Sequence, residues 1–383
     1  MKIGFEAKKI FTNSTGIGNY CRRCIAALEL HGHKNMESVL FVPGQKVSGY
    51  GSNIKIVIPG KWIRRNGFLC EIWRCFLSWY SIRHENVDIY HGLSNELPFF
   101  INHSRCKTVV TIHDLIFIRH PETYRWLSRM ILRVKTYYAC RIADHVIAVS
   151  NTTKQDIINF YGIDEKKISV VYQSISDKFR QPLKEREVTR CRNMLKLPEK
   201  YILCVGTIQT RKNQETIVKA LAHLPKEIHA VLVGKRTEYQ NKIVCTAKTN
   251  GTYNRLHILN DVPNEYLPVI YKTATVFVLP SIFEGFGIPI AEALASGTPV
   301  VAAKGSCLEE AGGPGSIYVE PYDEEKWANA ILQICNNNIK HDEMEITGKE
   351  YSLLFTDKSM ACRLQRVYDN IIKDTLRTIT KSS

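Results

Sequence analysis

Residues 276–302 read VFVLPSIFEGFGIPIAEALASGTPVVA. The run Val276–Leu279 has the apolar, β-branched character of a strand buried on both faces. Two glycines flank Phe286, so the backbone can turn tightly there and bring its N–H groups close to a ligand. Pro289 suits the first turn of a helix. Ile288–Ser296 follows as that helix, and Pro299–Ala302 is apolar and strand-like again. A strand, a glycine-bearing turn, a helix and a second strand form the repeating unit of a parallel sheet covered by helices.

The same alternation runs outward in both directions. On the C-terminal side of a polar stretch, Lys178–Pro198, it gives strands at Tyr201–Gly206, His229–Gly234 and Leu256–Leu259, with helices at Gln214–Ala222 and Asn264–Thr273. Before that stretch, strands are expected at Lys2–Phe5, Val39–Val42, Ile54–Ile58, Asp88–His91, Thr108–Ile112 and His145–Val149. Helices are expected at Asn19–Leu30, Trp126–Arg141 and Thr153–Phe160. The pattern predicts two successive doubly wound α/β domains, 1–177 and 178–361. In such sheets ligands bind beyond the carboxyl ends of the strands, so chemistry is expected just after strands and in a cleft between the domains.

The chain has 383 residues, long enough for two such cores at roughly 100–200 residues each. No run approaches the roughly 18–20 consecutive apolar residues of a membrane span, and the N-terminus reads as a strand and not a signal peptide. A cytoplasmic chain is expected. Twelve cysteines are scattered through it, often in apolar runs such as those around Cys140 and Cys204, as small buried hydrophobes would be. Cys21 and Cys24 form a CxxC on an expected helix, with no second Cys or His pair at zinc spacing nearby. The net charge of +15 is uneven: residues 1–180 hold 26 basic and 14 acidic residues, the remainder 26 and 23. The basic half suits either an anionic partner such as a membrane surface or a merely basic soluble surface. No interleaved aromatic and basic stripe speaks for nucleic acid.

Four groups of residues stand where chemistry is expected. After the strand ending at Gly206 come Arg211 and Lys212, two adjacent cations before a helix N-terminus, able to neutralise a diphosphate. Glu284 precedes the 288–296 helix and Glu292 lies two turns deeper, so both can face one extended, hydroxyl-rich ligand. Ser14-Thr15-Gly16-Ile17-Gly18 follows the first strand in a phosphate-loop position, which is equally a plain strand-to-helix turn. His113 ends the strand Thr108–Ile112, where it either bonds a ligand hydroxyl or serves the structure. The segment from Leu69 to Tyr80 is aromatic with basic flanks. It reads as a core helix of the first domain, the alternative being a strip lying on a membrane.

Taken in order, Gly16 and Gly18, His113, Arg211-Lys212, and Glu284-x7-Glu292 within EGFG…EALASGTPVV resemble the retaining glycosyltransferases of family 4, which have the GT-B fold. The resemblance covers nearly the whole chain. It implies that Arg211 and Lys212 bind the donor diphosphate and stabilise it as leaving group. Glu284 and the amides of Gly285, Phe286 and Gly287 would hold the transferred sugar, and Glu292 the ribose. Gly206, Ile288 and Gly18 join the donor contacts, Gly16 approaches the diphosphate from the first domain, and His113 sits near sugar and acceptor. A C-terminal helix at about 362–383 would pack back on the first domain. No metal and no other cofactor is implied, the cations replacing a metal. The partners implied are a nucleotide-sugar donor, with GDP-mannose expected ahead of UDP-sugars, and a glycan or lipid-linked acceptor, with a peripheral place on the inner membrane face. The other readings are a nucleotide-sugar epimerase and a non-catalytic nucleotide-sugar-binding protein.

Overall fold

A computed structural model of the chain describes residues 1–13, 15–44 and 54–382, with side chains as far as residue 373. Ser14, at the start of the first glycine loop, lies outside the described residues. The chain divides into two compact units. One comprises Met1–Ser174 and Asp357–Ser383, the other Ile175–Thr356. The boundaries expected from sequence were residues 177 and 362. The return begins earlier because Asp357 opens a continuous helix and is held by first-unit partners, Arg23 at 2.7 Å and the Ser174 hydroxyl at 2.6 Å.

The first unit holds seven parallel strands: β1 (Lys2–Glu6), β2 (Glu37–Phe41), β3 (Lys55–Val57), β4 (Ile89–Gly92), β5 (Lys107–Ile112), β6 (His145–Ala148) and β7 (Ile168–Val170). They lie in the order β3-β2-β1-β4-β5-β6-β7. The second sheet has six: β8 (Lys200–Val205), β9 (Ile228–Val233), β10 (Leu256–Leu259), β11 (Val276–Leu279), β12 (Val300–Ala303) and β13 (Ile317–Val319), ordered β10-β9-β8-β11-β12-β13 and parallel throughout. In each sheet the winding reverses beside its first strand, between β1 and β4 and between β8 and β11. Those are the topological switch points where such sheets open a crevice. The α/β, doubly wound reading of the sequence describes both sheets.

Helix α1 (Gly16–His31) follows β1, and α2 (Trp126–Ile142) and α3 (Asn151–Tyr161) flank β6. In the second unit, α4 (Gln214–Leu221) follows β8 and α5 (Ile288–Ser296) follows β11. The last helix, α6 (Asp357–Ser382), lays Met360, Ala361, Leu364, Val367, Tyr368 and Ile371 against α1 in one buried cluster with Ile3, Phe5 and Ile89 of the sheet. That spacing is a single helical stripe. At about 1.5–3 kcal/mol for each large apolar side chain, it contributes on the order of 10 kcal/mol of gross burial to the first unit.

The aromatic segment expected as one core helix is three pieces: an α-turn Gly67–Ile72, a π-helical turn Trp73–Leu77 and a helix Ser78–His84. Trp73, Arg74 and Cys75 are buried, whereas Phe76, Leu77 and Tyr80 face solvent. The segment is core on one side only. All twelve cysteines are free thiols. Cys21 and Cys24 belong to the α1 core, where burial pushes the Cys24 thiol up to about 12 and Cys21 well above its usual range. No described helix is long and apolar enough to cross a membrane.

Candidate active site

At the carboxyl end of β8 the chain turns through Gly206, whose φ of +150° is rarely adopted by residues with a side chain. Beside it stands Gly234, at the end of β9. A Cβ on Gly234 would lie 1.9 Å from the Gly206 carbonyl oxygen, so the two strand ends approach as closely as glycine permits. Gly234→Ala must therefore move backbone. We expect about 2–3 kcal/mol of destabilisation, read in urea denaturation. The loop beyond Gly206 is braced by Gln214, which donates from Nε2 to the Thr207 carbonyl at 3.0 Å. It then forms a 3₁₀ turn, Thr210–Lys212, and enters α4 through Asn213 in the left-handed region.

The second loop leaves β11, the hydrogen-bonded neighbour of β8. Gly287, at φ +108°, turns it into α5. The Ile282 amide donates to the Arg211 carbonyl at 2.9 Å and joins the two loops. Phe286 packs edge-on against Phe355 at 5.3 Å, which anchors the glycine turn.

Between the loops lies Glu284, 9% exposed. Lys212 donates to one of its oxygens, and the Arg211 guanidinium stands 3.1 Å from the other while also donating to the Phe283 carbonyl. The Cys307 thiol lies 3.0 Å from the Glu284 carbonyl oxygen. Glu292, two turns into α5, accepts from the Tyr271 hydroxyl at 2.9 Å. The structure thus brings together Arg211, Lys212 and Glu284, with Gly206 and Gly285–Ile288 forming their backbone frame.

In the first unit, Gly16 opens α1 with free space beside its Cα, and Gly18 is buried because a Cβ there would stand 1.9 Å from the Asn13 carbonyl oxygen. Of the two, Gly18 is the glycine the packing requires. His113, just past β5, is buried. Its Nε2 lies 2.8 Å from the Leu93 carbonyl, an acceptor only, so Nε2 carries the proton and Nδ1 is the acceptor nitrogen. Burial lowers its pKa to about 4, which makes it a neutral imidazole near pH 7. The Tyr20 ring meets it edge-on at 4.7 Å. Behind it lies a network that no sequence motif marks. His91 on β4 bonds Tyr368 of α6 at 2.7 Å and Thr111 at 2.8 Å, and Thr111 bonds Tyr20 at 3.1 Å. The signal was present only as a histidine at the end of an apolar strand.

Comparisons with known proteins bear on the family and the fold. The family described as "Glycosyltransferase Family 4" matches residues 14–179, and "Glycosyl transferases group 1" matches residues 185–351. The chain belongs to the family 4 glycosyltransferases. An O-antigen chain mannosyltransferase B of Escherichia coli is 27% identical over 87% of this chain and 90% of its own length. The O-antigen chain mannosyltransferase RfbU of Salmonella typhimurium is 27% identical over 69% of this chain and 70% of its own. A sucrose-phosphate synthase structure from Thermosynechococcus elongatus superposes with a TM-score of 0.76 at 19% identity, covering 98% of this chain and 100% of that one. With further glycosyltransferase neighbours, it places the fold in the GT-B class.

In this glycosyltransferase the loop cluster sets the charge state of Glu284. Burial alone would raise the Glu284 carboxyl, but Lys212 and Arg211 outweigh it and hold its pKa near 2 against an ordinary 4.5. A carboxylate depressed in the folded state contributes stability above its unfolded pKa, and loses it as pH falls from about 4.5 toward 2. The gap is worth on the order of 3 kcal/mol. Glu284→Gln should flatten the acid limb of second-unit stability across that window in urea titrations. Among the described residues, the His and carboxylate groups close enough to share an ion are His341, Asp342 and Glu345. They lie on the helix Asn338–Ser352, where Glu345 is paired with Lys349.

Proposed function

We propose that this glycosyltransferase transfers mannose from GDP-mannose, with retention of configuration, to a hydroxyl of a lipid-borne precursor of a surface polysaccharide. The observation that carries the donor chemistry is the buried carboxylate of Glu284 engaged by both Arg211 and Lys212. Two cations held at a strand-to-helix turn suit a nucleotide diphosphate, which would exchange for the carboxylate between them. The mannose assignment is supported by the names of the two O-antigen mannosyltransferases.

In the step proposed, the bond between the anomeric carbon and the diphosphate oxygen breaks with its electron pair leaving on the diphosphate. The acceptor oxygen forms its bond to that carbon on the same face, and its proton passes to a departing phosphate oxygen. Arg211 and Lys212 stabilise the charge that develops on the leaving group. Glu284 and the amides of Gly285, Phe286 and Gly287 hold the sugar, while Gly206 and Ile288 complete the donor loops. Glu292 takes the ribose hydroxyls. In the first unit, Gly16 and Gly18 contribute through the backbone at the start of α1. His113, neutral and with Nδ1 as acceptor, orients a hydroxyl and does not act as an acid. The two cations do the work a metal would do, so activity should survive chelators.

The test is a thermal-shift series with GDP, UDP, ADP and their sugar conjugates, followed by NMR of the product anomer. A ligand at about 100-fold over its dissociation constant adds about 2.7 kcal/mol of stability. A shift with GDP-mannose and an α-linked product are expected. A shift with UDP-sugars alone would replace the donor, and an inverted product would overturn the mechanism.

A further inference from the structure

Helix α2 turns an apolar face to water. Trp126 and Leu127 are 69% and 62% exposed, Val134 is 55% exposed, and Met130, Ile131 and Tyr137 lie on the same side. Only Thr136, Ala139 and Cys140, in its last turns, are buried. Single exposed apolar residues are ordinary on any protein. A run of six on one helical face is not.

The patch extends beyond the helix. Phe76 stacks on Phe99 at 5.0 Å, Phe99 meets Tyr138 of α2 at 4.6 Å, and the Phe100 amide donates to the Tyr138 hydroxyl at 3.0 Å. The exposed Phe76, Leu77 and Tyr80 therefore stand beside α2, together with exposed Phe100. The charge on the helix has one sign. Arg129, Arg133, Lys135 and Arg141 lie on it, Arg125 precedes it, and it contains no Asp or Glu. Lys135 turns inward to Glu96 at 3.2 Å, and Arg125, Arg133 and Arg141 are exposed.

We propose that this face of the first unit docks on an anionic lipid bilayer surface. Helix α2 lies in the interface with Trp126, Leu127, Ile131 and Val134 at the acyl boundary and its arginines at headgroup phosphates. An apolar face flanked by cations, with aromatic residues at its edge, is the composition of an interfacial helix. A second copy is a poorer occupant: a two-fold contact through this face would set arginines against arginines with no carboxylate on the helix to pair them. The surface deepens the proposal of a lipid-borne acceptor and rests on that reading for its purpose only.

The test is flotation of the full chain with phosphatidylcholine vesicles and with vesicles in which a third of the lipid is phosphatidylglycerol. Binding to the anionic vesicles alone is expected, weakening in high salt and accompanied by a blue shift of Trp126 fluorescence that Trp126→Phe removes. The exposed triple variant Leu127→Ser, Ile131→Ser, Val134→Ser and the charge variant Arg129→Glu, Arg133→Glu should each lose binding by about tenfold or more, at about fivefold for each cation alone. Both should keep the wild-type melting temperature and nucleotide-induced shift, since neither touches the donor loops. No binding to anionic vesicles, binding that the variants leave unchanged, or a dimer that the triple variant dissociates would each overturn the docking. Vesicle binding without any nucleotide shift would overturn the donor reading and leave the docking standing.

Discussion

Replacing Lys212 with alanine should lower kcat by about 10²–10³, some 3–4 kcal/mol in the barrier, with a smaller change in KM. This is the cost of removing one preorganised donor from a developing oxyanion. The variant is informative because the site keeps its frame. Arg211 remains 3.1 Å from Glu284, and the Ile282–Arg211 backbone bond that joins the loops does not involve the lost side chain. Steady-state kinetics with the preferred donor, alongside its melting temperature, separates lost chemistry from lost fold. Activity within threefold of wild type would remove Lys212 from its proposed role.

The largest expected effect on stability lies in the first unit. The Arg74 guanidinium is buried on the π-helical turn, 2.6 Å from Glu96 and 2.8 Å from Glu71, facing buried Glu6. Burial works against its charge, but Glu96 and Glu6 outweigh it and keep it ionised. Arg74→Ala leaves Glu6 without its cation, while Glu96 keeps only Lys135 and Glu71 only Lys8. Breaking a buried pair from one side costs about 3–5 kcal/mol. The sign with pH is also set. Burial already raises Glu6 in the native protein despite Arg74, so its folded form holds the proton more tightly than the unfolded chain. Without Arg74 that difference widens, and the destabilisation should shrink as pH falls and the carboxylates protonate. Urea denaturation at pH 7 and pH 5 reads both magnitude and trend.

Much of this architecture is legible in local pattern. Leu256–Leu259, Val276–Leu279 and Ile288–Ser296 fall where the sequence places them. Each central strand is a buried apolar run bounded by turn residues. The edge strands Ile168–Val170 and Ile317–Val319 escaped notice because three residues at a sheet margin are too short to show a period. Residues 69–80 read as a single helix because apolar spacing does not reveal a one-residue change of helical period such as the π-turn Trp73–Leu77. At the site, sequence placed Arg211, Lys212 and Glu284 each after a strand. That one carboxylate holds both cations depends on β8 lying next to β11, a long-range pairing that no local window contains. The His91–Thr111–Tyr20 network was hidden for the same reason, since its members come from β4, β5, α1 and α6.

The last helix carries a consequence for how the chain is made. Residues 357–371 complete the core of a unit whose strands are all synthesised first, and the whole second unit, residues 175–356, is translated in between. At about 5–20 residues per second, the first sheet waits on the order of 10–40 s on the ribosome with the α1 stripe around Cys24, Ile25 and Leu28 uncovered. The second unit, contiguous in sequence, can close before the first does. A released chain truncated after residue 356 should therefore present a protease-resistant second unit joined to a first unit that binds chaperone through its uncovered α1 stripe.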